Sequence, residues 1–272
     1  MLEVKFYDWK KKRPKKHYLL VHEIRIFELI FSKKVSEFEM GLREIEKVTV
    51  FCLANENTDI SYEVNRALGE IRIYVPYDFM DFLALNSVEE KYKEFCKLVR
   101  QYVVSGLEEN STLSSSVVKG YIEESLDEIV KQNYEGIFLV GKTPKKSPSR
   151  KKIAILKGIH RVKGFQLRCE VYDEKGLKIR DQLLVEEVGN EMVYSRFLGT
   201  LKWESENLIV VQSKSSSWKE EKELDLFWLL PIHQEEKEYM LEQGDISALF
   251  DLWLEKEIDT ETFCDPNRLS TV

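Results

Sequence analysis

Leu224-Asp-Leu-Phe-Trp-Leu-Leu-Pro-Ile-His-Gln-Glu-Glu-Lys-Glu-Tyr-Met-Leu-Glu-Gln-Gly-Asp245, read on to Arg268, sets a strand, a turn, two helices and a stop signal in succession. Leu224–Leu230 is an apolar run of strand length, and Pro231 ends it because proline has no N–H to give a ladder. Gln234–Gln243 reads as a short helix with Glu235 and Glu236 in its first turn, at the positive end of the helix dipole. Gly244 suits the left-handed position that closes a helix, and Asp245 suits the N-cap of the next. In that second helix Ile246, Leu249, Phe250, Trp253 and Leu254 share one face, which must be buried against something. Asp265-Pro-Asn-Arg268 then forms a turn. A strand followed by helices at the end of the chain, after runs of strands and of helices earlier, argues for an α+β fold with segregated elements.

Upstream, Glu3–Trp9 alternates as a first strand, and Lys10–Lys16 is a basic turn. Tyr18–Phe31 carries apolar residues on both faces of an alternating pattern, so the reading is a strand covered on both sides or one ending at a bend. Ser36-x-x-Glu39 has the spacing of a capping box and predicts a short helix with Phe38, Leu42 and Ile45 inward. Val48–Ala54 and Gly69–Val75 read as strands. Ser87-x-x-Glu90 opens a long helix, Val88–Glu108, with Tyr92, Phe95, Cys96, Val99 and Val103 as its apolar stripe. Asn110–Ser116 has linker composition. Val117–Gln132 is a second helix with Val118, Ile122, Leu126, Ile129 and Val130 on one side, and Ile137–Val140 a short strand.

From Ile153 to Leu230 the pattern is a meander: Phe165–Tyr172, Leu177–Val188, Met192–Trp203 and Leu208–Gln212 are strands whose short connections force antiparallel pairing. The expected architecture is therefore α+β, with antiparallel sheets and packed helices in two parts: an N-terminal α+β domain, 1–110, and a C-terminal one, 117–272.

The Leu-Leu-Pro-Ile at the end of the strand, the Glu-rich helix with Glu238 and Gly244, and the closing Asp-Pro-Asn-Arg resemble the C-terminal end of the suppressor-of-fused domain. The resemblance covers Leu224–Arg268. It implies a non-enzymatic regulator: in animals that domain sequesters a transcription factor by gripping a peptide segment, and bacterial relatives look like immunity proteins that neutralise toxins.

The 272 residues are 43% hydrophobic and 33% charged, with six Pro and 12 Gly, which describes an ordered globular chain rather than a disordered one. Met1-Leu-Glu-Val-Lys carries an acid early and no apolar core follows before Lys10, so no signal peptide is expected and the cytoplasm is the expected location. No apolar run reaches membrane-spanning length. Cys52, Cys96, Cys169 and Cys264 stand singly, as do His17, His22, His160 and His233, so neither a zinc site nor a disulfide framework is expected. No cofactor is expected: glycine-rich nucleotide loops, nucleophile elbows and metalloprotease helices are all absent from the sequence. Glu220-x-Lys222 and Glu235-x-Lys237 have the spacing of a nuclease pair, but no paired Asp precedes them on a strand to hold magnesium. Glu186 and Glu187 are neighbours on a strand and point to opposite faces.

Charge is unevenly placed. Lys142 to Lys163 holds nine basic residues and no acid, whereas Lys219 to Val272 holds 15 acids against five bases, within a net charge of −7. The expected function is a non-enzymatic protein-binding module, an immunity or antitoxin-like protein of bacterial type whose partner is a toxin domain. An acidic face of Glu220, Glu221, Glu223, Asp225, Glu235 and Glu236, with Trp218 as anchor, would meet a basic cleft. The alternative is a nucleic-acid-associated factor using Lys10–Lys16 and a basic surface loop of Lys142, Lys145, Lys146, Arg150, Lys151 and Lys152.

Overall fold

The computed structural model describes residues 2–9, 13–15, 17–42, 44–54 and 59–223. The strand, helices and turn expected over Leu224–Arg268 lie outside the described residues, as does the resemblance they carry. About 35% of the described residues are helix and 36% strand, in mixed and antiparallel sheets packed with helices, and the fold class is α+β. The chain divides into two compact units, the first comprising 1–136 with 160–164 and 188–190, the second 137–159, 165–187 and 191 onward.

In the first unit the order is β1 (Glu3–Asp8), α1 (His17–Leu20), α2 (Arg25–Val35), β2 (Lys47–Cys52), β3 (Ser61–Asn65), β4 (Glu70–Val75), α3 (Phe79–Leu83), α4 (Val88–Leu98), α5 (Val104–Asn110) and α6 (Ser115–Lys131). The sheet runs β1-β2-β4-β3. Its first two pairings are parallel and the last is antiparallel, so this sheet is mixed. Parallel pairing requires a crossover, and α2 supplies it between β1 and β2.

Tyr18–Phe31 is helical, which corrects the strand reading. Ile26, Phe27, Glu28, Ile30, Phe31, Ser32 and Val35 of α2 are all buried. Only Lys33 of this helix is exposed, with Arg25, Leu29 and Lys34 part-buried, so its polar stripe is narrow and the sequence imitates a doubly covered strand. Ser36–Glu39 makes a turn without a helix, although Phe38, Leu42 and Ile45 do pack inward.

Ser87 caps α4 as expected: its Oγ accepts from the Glu90 N–H, and the Glu90 carboxylate accepts from the Ser87 N–H. The long helix widens into a π turn over Val99–Val103 before α5. In α6, Val118, Ile122, Leu126 and Ile129 are buried, but Val130 is exposed, one residue off the stripe. The first unit extends past the boundary expected at 110–117, because α6 packs on α2 and the apolar faces of both belong to one core.

In the second unit, β5 (Gly136–Leu139), β6 (Lys145–Lys146), β7 (Lys152–Arg161), β8 (Gly164–Asp173) and β9 (Lys178–Glu187) form one sheet. β10 (Gly199–Trp203), β11 (Leu208–Ser213) and β12 (Lys219–Glu223) form another. The two share a core of Phe138, Leu156, Phe165, Leu167, Tyr194, Leu201 and Val211 among others. The strand expected over Met192–Trp203 is shorter. Glu191–Tyr194 is one helical turn, α7, and β10 begins only at Gly199. Gly199 is required there, since a Cβ would collide with the Gln212 carbonyl of the neighbouring strand.

Candidate functional site

The acidic face expected around residue 220 is resolved into paired charges. On β12 successive side chains point to opposite faces. Lys219 Nζ lies 2.5 Å from Glu221, and Lys222 Nζ lies 2.6 Å from Glu220, so each of these carboxylates has an ammonium on its own face. Glu221 hydrogen-bonds Lys219 and pushes that ammonium pKa up. Glu223 ends the strand, and Asp225, Glu235 and Glu236 lie outside the described residues. Trp218 is half-buried: its ring meets Phe197 edge to face at 5.5 Å and packs on the core of the second unit. The ring expected to be a free anchor is thus a structural one.

The basic segment is a hairpin rather than an open loop. The Ser147 N–H donates to the Lys152 carbonyl (2.9 Å), the Arg150 N–H donates to the Ser147 carbonyl (2.9 Å), and Ser149 Oγ donates to Glu206 (2.8 Å). Lys152 is committed to this construction, donating to the Glu206 carbonyl and to Asn207 Oδ1, each at 3.1 Å. Lys142, Lys145, Lys146, Arg150 and Lys151 are exposed and make no ion pair among the described residues. Lys145 and Lys146 are neighbours on β6 and face opposite ways, and lysines so placed also discourage further strand pairing.

A third surface is one that the reading of single strands missed. In the first unit Val4, Phe6, Val48, Val50, Cys52, Ile71, Ile73 and Val75 face the core. The alternate residues of the same strands therefore fall on the other face of the sheet. The register brings Tyr7 beside Phe51, and Phe51 beside Tyr74. Phe51 stacks on Tyr7 at 5.9 Å and on Tyr74 at 5.1 Å, and Trp9 meets it edge-on at 4.9 Å. Trp9 is 55% exposed and Tyr7 42%. This aromatic row was legible in outline: Glu-Val-Lys-Phe-Tyr-Asp8, Lys-Val-Thr-Val-Phe-Cys52 and Glu-Ile-Arg-Ile-Tyr-Val75 each place an aromatic residue fifth in the strand. Only the register puts the three side by side.

Beyond the row, the same face is polar and its charges are matched. Lys5 and Arg25 bind Glu3 at 2.6 and 3.3 Å; Lys47 and Arg72 bind Glu70 at 3.3 and 2.7 Å. Thr49 Oγ1 donates to Glu70 at 2.7 Å. Burial pushes the Glu70 carboxyl pKa up, but the Thr49, Arg72 and Lys47 donors outweigh it, and the group is held below the usual carboxylate range.

The thiols of Cys52, Cys96 and Cys169 are buried and unbridged, and burial pushes them up, Cys169 to about 12. Among the described residues, no group of three or more His, Cys, Asp or Glu side chains is placed to hold a metal ion. No helix among them is long and apolar enough to cross a membrane. A groove beside α2, lined by Leu2, Phe38, Met40 and Leu42, has Glu39 as the one titratable side chain in its lining among the described residues. No family model, no curated protein and no solved structure matches this chain.

Proposed function

We propose that the chain is a protein-binding module, an immunity or antitoxin-like protein of the bacterial cytoplasm that neutralises a toxin domain by covering it. The observation that carries the binding part is the aromatic row Trp9, Tyr7, Phe51 and Tyr74 on an outward sheet face. A row whose Trp9 and Tyr7 are exposed and whose Phe51 and Tyr74 are part-buried, beside charges already satisfied, matches the composition of interface centres, where Trp, Tyr and Arg supply most of the affinity. The suppressor-of-fused resemblance at Leu224–Arg268 supports the immunity part. Glu220 and Glu221 on β12 contribute less to this reading than the sheet face does, because Lys222 and Lys219 cancel their charge locally.

The test is a pulldown from the native cell with the tagged chain, washed at low and then high salt. The expected result is one stoichiometric protein partner that survives both washes and is lost with Trp9→Ala. Truncating a central aromatic anchor costs about 2 kcal/mol, roughly thirtyfold in affinity. A partner retained at full strength by Trp9→Ala together with Tyr7→Ala would take the sheet face out of the interface. A second reading rests on the exposed cations Lys142, Lys145, Lys146, Arg150 and Lys151 in and just before the β6–β7 hairpin, which make no ion pair among the described residues and suit a phosphate backbone. Recovery of salt-labile nucleic acid alone would favour it.

A further inference from the structure

The edge strands of a sheet leave backbone N–H and C=O groups without partners, and proteins guard such edges with covering elements, lysines, prolines or bulges. At one edge of the first unit's sheet the guard is α2. The Val4 N–H donates to Ser32 Oγ at 2.9 Å, and the Phe6 N–H donates to Glu28 Oε1 at 2.6 Å, a carboxylate that Arg25 holds at 2.9 Å. Among the described residues, the other edge, β3, has none of these devices, and Ser61–Val64 are all exposed. Ser61–Asn65 contains no Lys and no Pro, its register with β4 runs without a shift, and β4 is its one strand neighbour among the described residues. Ile60, Tyr62 and Val64 are 42%, 37% and 42% exposed. The strand is nonetheless held in place. Tyr62 Oη donates to the Tyr102 carbonyl at 3.3 Å, within the π turn, and the ring lies against Gly106, where a Cβ would come within 3.5 Å of it.

We infer that β3 pairs antiparallel with β3 of a second copy of this chain, joining the two sheets about a two-fold axis. Side-chain parity limits the registers. Residues opposite each other must share a face, so a symmetric antiparallel pair is centred on a residue facing itself. Centring on Glu63 sets two carboxylates against each other, and centring on Ser61 sets Asp59 against Glu63. Centring on Tyr62 places ring against ring, Ile60 against Val64 on both sides, Ser61 against Glu63 and Asp59 against Asn65. That register joins apolar to apolar and opposes no like charges, so this edge is complementary to itself. This inference stands apart from the binding role of the sheet face, since an edge and a face can be occupied together.

The experiment uses the full chain with Cys264→Ser, leaving the buried Cys52, Cys96 and Cys169 in place. Sedimentation is expected to give a dimer, and Val64→Lys, which places a charge on the exposed edge, a monomer. Under mild oxidation Tyr62→Cys should cross-link to itself at least about tenfold faster than Glu63→Cys, following the closer approach of directly opposed positions. Because Tyr62→Cys also removes the bond to Tyr102, a second pair keeps the test independent of it: Ile60→Cys and Val64→Cys should cross-link efficiently only when the two variants are mixed. A parent chain that stays monomeric up to about 100 µM overturns the proposal. So does self-linking of Glu63→Cys as fast as Tyr62→Cys.

Discussion

Glu28 shows how a single residue sets the chain's edges and its stability together. It is 2% exposed, and its carboxylate accepts from the Phe6 N–H and pairs with Arg25. A buried charge of this kind is tolerated only while its partners remain, and losing it strands the donors. Glu28→Ala is expected to destabilise the chain by about 2–4 kcal/mol, read as a lower denaturant midpoint at unchanged slope. Glu28→Gln keeps an acceptor for Phe6 and should recover part of the loss. A value near zero for the alanine variant would mean that the edge of β1 is held by packing alone. No sequence pattern announced this role: a Glu within an apolar run read as one side of a strand, and its partner lies 22 positions away.

Among elements, two buried carboxylates make the sheets sensitive to acid. Glu70, in the first unit's sheet, is lowered as described above. Glu170 on β8 is raised by burial, but Tyr172 Oη at 2.7 Å and the Lys157 and Lys178 ammonium groups at 3.2 and 3.4 Å outweigh this and lower it. A folded-state pKa below the unfolded one means that the stabilisation is complete above the ordinary carboxylate value of 4.5 and is lost as pH falls from there through the folded value. The thermal midpoint should therefore fall steeply below about pH 4.5 and change little between about pH 5 and 7; Glu170→Gln should flatten the acid limb, and an unchanged limb would remove Glu170 from the account. Element identity was legible where local and tertiary signals agree. Ser87 and Glu90 cap a helix whose stripe residues Phe95, Cys96, Val99 and Val103 are indeed buried. It was illegible where the polar stripe of a helix was too narrow to show, as in α2, and β3 went unread although Ile60, Tyr62 and Val64 alternate behind the Asn/Asp-rich loop Asn55–Asp59, because five residues with polar ones between them are too short a run to claim a strand alone. The aromatic row lay between these cases, visible strand by strand and meaningful only in register.

At the scale of the whole molecule, charge separates the two readings of what the chain binds. The net charge of −7 repels nucleic acid at long range, and the paired charges of the aromatic sheet face neither attract nor repel strongly. Binding through that face is therefore governed by desolvation and should vary little with salt, since short-range apolar contact is not screened. The β6–β7 hairpin behaves oppositely. Its exposed Lys145, Lys146, Arg150 and Lys151, with Lys142 just before β6, would each displace a counterion from a phosphate backbone, so log K should fall against log salt with a slope of up to about −4.5. Replacing Lys145, Lys146, Arg150 and Lys151 by Ala together should bring that slope close to −1, while leaving untouched any partner held by Trp9 and Tyr7. These side chains are exposed and the hairpin is built by Ser147, Ser149, Lys152 and Glu206, so the quadruple variant should keep its fold. A protein partner whose affinity follows the hairpin substitutions, and not those of the aromatic row, would move the interface of the immunity reading from the first unit to the second.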